Sequence, residues 1–174
     1  MRNQRTRAGI VLLLALAVCL GAGCAAPFPA SAETVLTAMQ EAVSGLPAGR
    51  CYLRAADPSS RVFLSGDLLS ALLGPAARGL FEASPDGSEA GTAVPAVRDA
   101  AVRLSESSAP GELAVLVCSD TDSALTPPAL YRQRFDALPA AFPGTESAVR
   151  VRGCVVLAAF CRDAEAAVGA GAAR

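Results

Sequence analysis

The chain divides by the rhythm of its apolar positions. From Ala8 to Cys24 (AGIVLLLALAVCLGAGC) apolar and small residues run without a charge, and Arg2, Arg5 and Arg7 precede them. A charged start, an apolar middle and a small-residue exit is the layout of an export signal. Residues 25–32 (AAPFPASA) hold two prolines and no periodicity, and read as a tether. Between Glu33 and Ser44 the period becomes helical, with Val35, Leu36, Met39 and Val43 on one stripe. Ser31 or Ala32 precedes this helix, Glu33 sits in its first turn, and Gly45 with Pro47 stops it.

Two short β-prone runs, Cys51–Arg54 and Arg61–Leu64, flank Asp57-Pro58-Ser59-Ser60 and predict a hairpin or an extended loop. Ser65 or Asp67 can cap a helix carrying Leu68, Leu69, Leu72 and Leu73, and Gly74-Pro75 ends or kinks it. A short helical piece follows through Leu80 and Phe81. Residues 84–95 (SPDGSEAGTAVP) read as an exposed loop. Residues 97–105 predict a first main strand. Glu112–Cys118 (ELAVLVC) is the strongest strand signal and is apolar on both faces, which places it centrally.

Ser119 to Ser123 is a polar loop. Thr126-Pro127 then offers an N-cap and an N1 proline to a helix with Tyr131, Phe135 and Leu138 on its buried stripe. Arg132 and Arg134 flank that stripe, and Pro139 and Pro143 bound the exit. Residues 148–152, Gly153 and residues 154–161 read as strand, tight turn, strand. Residues 163–168 predict a last, Ala-rich helix before a loose GAGAAR tail. The expected fold class is α+β: N-terminal helices, then β-β-α-β-β-α around one antiparallel sheet of about four strands with one helical layer. Val115, Val117, Val156 and Phe160 should be core, with Tyr131 and Phe135 over the sheet. Residues 1–23 are assigned to the signal peptide, 24–32 to the tether and 33–174 to a single domain.

The exit of the apolar run carries a sharper expectation. Leu20-Gly21-Ala22-Gly23-Cys24 resembles a bacterial lipobox, with Gly21 where leucine is usual. The resemblance implies cleavage ahead of Cys24 and its lipidation, so that the protein is held at the extracytoplasmic face of the cell membrane. Two other readings compete. Ala30-Ser31-Ala32 has a small-x-small cleavage pattern, but it lies far beyond Leu20 for a peptidase at the membrane face. An uncleaved anchor is the other, because Ala8 to Ala26 carries no charge and about twenty residues span a bilayer. The glycines and the abrupt cysteine favour cleavage and lipidation.

Composition narrows the chemistry. All 15 basic residues are arginine, and three of them lie in residues 1–23 while none of the 16 acidic residues does. The remainder is mildly acidic, which argues against nucleic acid as a partner. The chain contains no histidine, lysine or tryptophan. Without histidine, the usual neutral-pH base and the commonest zinc ligand are missing. Without lysine there is no Schiff base and no P-loop lysine. Catalysis would have to rest on carboxylates, tyrosine or cysteine, so a non-catalytic protein without a cofactor is expected.

The pattern of the chain resembles a family of uncharacterised bacterial lipoproteins, a domain of unknown function found chiefly in anaerobic Gram-positive bacteria. The resembling features are the lipobox, the leucine-rich Asp67–Gly74 segment, Gly-Glu-Leu-Ala-Val at 111–115 and Tyr-Arg-x-Arg-Phe at 131–135. Arg-Gly-Cys-Val-Val-Leu at 152–157 and the final helix complete them. The resemblance covers most of residues 33–170, departs from the family at the long polar 84–95 loop, and implies no catalytic residues.

Several constellations remain. Besides Cys19 and Cys24 there are Cys51, Cys118, Cys154 and Cys161, an even count that suggests disulfides in an exported protein. Small buried hydrophobes on strands is the plainer reading. Cys154 and Cys161 are an odd number of residues apart and point to opposite faces of a regular strand, so they cannot bridge each other. A bridge would need Cys51, Cys118 or a bulge, and in an anaerobic host thiols are expected over disulfides. Spacing excludes a four-thiolate zinc site. Asp120 and Asp122 lack the further ligands of a calcium loop and read as an exposed turn. Arg132 and Arg134 on the helix, with Arg150 and Arg152 on one strand face, are the candidate binding residues if they meet across the sheet–helix boundary. The function expected is a membrane-anchored binding or interaction module with an unknown envelope partner. The alternative is an envelope enzyme using carboxylates or a thiol.

Overall fold

The computed structural model describes residues 30–82, 95–138 and 144–174. The predicted signal peptide, Cys24, residues 25–29 of the tether, residues 84–94 of the predicted loop and both Pro139 and Pro143 lie outside the described residues. The fold is α+β: helix α1 (Ala32–Glu41), β1 (Gly49–Leu53), α2 (Gly66–Leu73), a 3-10 turn (Pro75–Leu80), β2 (Val97–Ser105), β3 (Glu112–Cys118), a second 3-10 turn (Ser123–Leu125), α3 (Thr126–Ala137), β4 (Glu146–Arg152), β5 (Val155–Cys161) and α4 (Ala164–Ala172). The five strands form one sheet in the order β1-β2-β3-β5-β4, and every neighbouring pair is antiparallel.

β3 is central because its side chains are apolar on both faces and both faces are covered. Ala114, Leu116 and Cys118 join Tyr131 and Phe135 of α3 and Leu69 and Leu73 of α2 in one cluster. Leu113 and Val115 join Val35, Leu36 and Met39 of α1 and Ala164, Ala167 and Val168 of α4 in a second. The expectation of one helical layer is therefore corrected to two, for a physical reason: a strand apolar on both faces needs cover on both. Of the expected core residues, Val115, Val156, Phe160, Tyr131 and Phe135 are buried, and Val117 is partly buried. Phe135 stacks on Phe160 at a ring separation of 5.5 Å and touches Tyr131 at 5.7 Å.

Local signals explain most boundaries. Ser31 caps α1 by accepting from the Thr34 amide, and Ser65 caps α2 by accepting from the Leu68 amide. Gly74 ends α2 at φ 92°, a conformation that side-chain-bearing residues avoid. Four expectations are corrected. The Cys51–Arg54 run does not pair with Arg61–Leu64 in a hairpin. It joins β2 as an edge strand through Cys51 opposite Arg103, and Leu53 meets Phe63 only in an isolated parallel bridge. Thr126 is not an N-cap, since the 3-10 turn runs straight into α3 and leaves Thr126 helical without a side-chain cap. Cys154 belongs to the turn, not to the strand that starts at Val155. The GAGAAR tail is largely helical, because packing on α1 orders glycines that propensity alone would leave loose.

Candidate functional site

The strand polarity gives the sheet two poles. One gathers the start of β1 at Gly49, the end of β2 at Ser105, the start of β3 at Glu112, the start of β4 at Glu146 and the end of β5 at Cys161. The chain enters at the other pole, where the Ala32 amide donates to the Asp99 carboxylate at 2.9 Å near the start of β2. Two clefts lie at the first pole, one on each side of the connector through Ala109 and Pro110. The larger, about 300 Å³, is lined by Val43 to Pro47, the connector, Thr145, Cys161 and Arg162. The smaller, about 160 Å³, is lined by Ser105, Ser107, Ser108, Glu112, Arg134 and Phe160, among others. A third depression of about 340 Å³ is a shallow hollow between the outer face of α1 and Arg174.

The smaller cleft holds the most buried ion pair among the described residues. Glu112 is 5% exposed and opens an otherwise apolar strand. Its carboxylate accepts from Arg134 Nε at 2.8 Å to each oxygen and from Nη2 at 2.6 Å, and Arg134 Nη1 donates to the Leu72 carbonyl at 3.0 Å. Burial opposes the Arg134 charge, but the hydrogen bonds and charge of Glu112 outweigh it and raise the guanidinium pKa. Tyr131 lies close by with its hydroxyl buried and without a hydrogen-bond partner. Desolvation first, then the Glu112 charge, pushes that phenol well above its usual range.

Arg103 braces the pole from the α1 side of the sheet. It is buried and donates to the Gly111 carbonyl at 2.7 Å and to the Pro47 carbonyl, tying the segment after α1 to the β2–β3 connector. Both approaches require glycine. A Cβ on Gly49 would meet the Leu104 carbonyl oxygen at 2.6 Å, and one on Gly111 would meet Pro47 Cγ at 2.7 Å.

The four candidate arginines do not meet. Arg132 and Arg134 lie on α3, which covers one face of the sheet. Arg150 and Arg152 share the strand parity of Ala148, which packs in the other cluster. Arg134 is held by Glu112, Arg150 pairs with Glu165 of α4 at 2.9 Å, and Arg152 donates to the Ala172 carbonyl. Arg132 is solvent-exposed. Two residues i and i+2 on a strand and two on a helix can share an interface only if the helix covers that strand face, and α3 covers the opposite one. Cys24 lies outside the described residues.

Sequence reasoning passed over Glu112 and Arg103. The available signal was a charged residue on a strand directly beside a core position, Leu113 for Glu112 and Val102 for Arg103, a position that demands a partner. Asp120 behaves as an exposed turn residue: its carboxylate accepts from the Ser123 amide at 2.7 Å and the Ser119 hydroxyl at 3.1 Å, which lowers its pKa. No group of three or more metal-ligating residues comes together among the described residues. No family model, curated protein or solved structure matches the chain.

Proposed function

We propose that this is a lipid-anchored extracytoplasmic protein of the cell envelope whose folded domain is a non-catalytic binding module. The observation that carries the reading is polar: the chain enters the fold at the pole opposite both clefts. With residues 1–23 removed and Cys24 acylated, the short tether places the entry pole against the bilayer and the clefts away from it. The exposed large apolar side chains of the described residues agree with this orientation. Leu125 (72% exposed), Val151 and Val62 all belong to segments at the entry pole. A diacylated cysteine holds a protein at a membrane firmly, where a single chain binds marginally.

Binding rather than turnover fits the chemistry of the clefts. Among their described lining residues the one carboxylate is Glu112, and Arg134 grips it on both oxygens. The one thiol is Cys161, whose pKa burial raises, so it is not primed as a nucleophile. Arg162 is exposed at the mouth of the larger cleft and is the guanidinium best placed to meet an anionic group on an envelope partner. Intact-mass analysis of protein extracted from membranes tests the anchor. Loss of residues 1–23 with added acyl mass is expected; a retained leader, or a mature terminus at Glu33, overturns it. Turnover of an envelope substrate that disappears on changing one Asp, Glu or Cys would overturn the non-catalytic reading.

A further inference from the structure

We propose that Cys118 and Cys154 are a modification site: they are oxidised to a disulfide that staples β3 to the end of the β4–β5 hairpin. The register places them directly opposite. Val117 pairs with Val155, so the next step of the ladder sets Cys118 against Cys154, and the Cys118 amide donates to the Cys154 carbonyl at 2.8 Å. Opposed residues in such a hydrogen-bonded antiparallel pair have Cα atoms about 5.5 Å apart, inside the range that a disulfide spans. Both side chains pack in the cluster on the α3 side of the sheet. Each thiol is close enough that the Cys154 charge disfavours ionisation of Cys118. Cβ atoms in such a pair stand up to about 5.5 Å apart and need roughly 1 Å of approach. Cys154 can supply that movement, since it sits in a two-residue turn beside Gly153 at φ 58°.

The other thiols are poorly placed for this bond. Cys51 and Cys161 pack in the cluster on the opposite face. β1 and β5 are three strand spacings apart, roughly 14 Å, too far for a bridge between Cys51 and Cys161. The pair also shows a division of labour. Cys154 is partly exposed on the turn, whereas Cys118 is fully buried and desolvation, with the Cys154 and Asp120 charges, pushes its thiol up to about 12.

The oxidant is a small or protein-borne disulfide. The Cys154 thiolate attacks one of its sulfurs and expels the first thiolate. The Cys118 sulfur then attacks the mixed disulfide at Cys154 and displaces the second thiolate, which takes up the Cys118 proton as it leaves. Two protein thiols are oxidised, and one oxidant disulfide is reduced to two thiols. The bond depends on the register alone and is tested independently of where the protein resides.

The full chain in detergent is reduced, treated with excess oxidised glutathione at neutral pH, then denatured and alkylated with N-ethylmaleimide. Digestion at arginine should give the peptide 104–132 linked to 153–162, with fragmentation placing the bond at Cys154 and the alkyl label on Cys161. Cys51→Ser should leave that linkage in place. Cys118→Ser should instead trap glutathione on Cys154. Alkylation of both Cys118 and Cys154 after oxidation, or a linkage at Cys51 or Cys161, overturns the assignment.

Discussion

Replacing Arg134 by glutamine should destabilise the domain by about 3–5 kcal/mol, because it leaves a buried carboxylate without its counter-charge. The magnitude follows from what Arg134 supplies. Glu112 keeps only 7% of its side-chain surface exposed, and all three of its ion-pair hydrogen bonds come from one guanidinium at 2.6–2.8 Å. The same guanidinium also satisfies the Leu72 carbonyl and so holds the end of α2 against α3. By contrast the Arg150–Glu165 pair has side chains 47% and 69% exposed. Arg150→Gln should therefore cost no more than about 1 kcal/mol. Urea unfolding followed by circular dichroism reads the difference. With a slope of about 1.5 kcal/mol per molar, Arg134→Gln should lower the midpoint by roughly 2–3 M. The double variant Glu112→Leu, Arg134→Met should recover most of that loss, since replacing both members of a buried pair by apolar groups is often neutral. If Arg134→Gln unfolds within about 0.5 kcal/mol of the parent, or the double variant is as unstable as the single one, the charge pair is not what holds α3 to the sheet.

Phe135→Ala should cost about 3–5 kcal/mol, since the ring is nearly buried between Tyr131 and Phe160, and melting indistinguishable from the parent would place α3 elsewhere. The Tyr131 hydroxyl makes no hydrogen bond, so Tyr131→Phe should change stability at pH 7 by less than about 1 kcal/mol; a larger loss would reveal a partner. Tyr131 has a folded-state pKa raised above its ordinary value of 10.0, so the fold favours its neutral form. That stabilising effect is complete below about pH 10 and is lost as pH rises past 10 towards the folded value. Tyr131→Phe should therefore shift alkaline unfolding, followed by circular dichroism, to higher pH.

Much of this architecture is legible in local pattern. Residues 97–105 and 112–118 are strands with the expected bounds because β-branched and apolar runs between loop signals have few alternatives. Ser31, Ser65 and Gly74 mark helix ends where expected because capping is a contact between residues three or four apart. Cys51–Arg54 was harder. A short β-prone run reads the same whether it pairs with its neighbour or with a strand fifty residues away, and only the exposed side of β2 decides which. The tail had the opposite difficulty: glycine and alanine carry a weak helix signal, and the groove beside α1 converts it into a full turn more of helix.

By itself the sequence determined the class of the fold, the central place of β3, the stripe that α3 buries and the exclusion of histidine and lysine chemistry. These follow from residue type and from spacings within one element, which the backbone period imposes before any long-range contact forms. Tertiary structure alone decided that helices cover both faces and that Arg134 belongs to Glu112 rather than to Arg150 and Arg152. It also decided that Cys118 faces Cys154, and that the clefts and the incoming chain lie at opposite poles. Each depends on strand order and register, which set which distant residues become neighbours, and a one-residue slip in either would exchange every face.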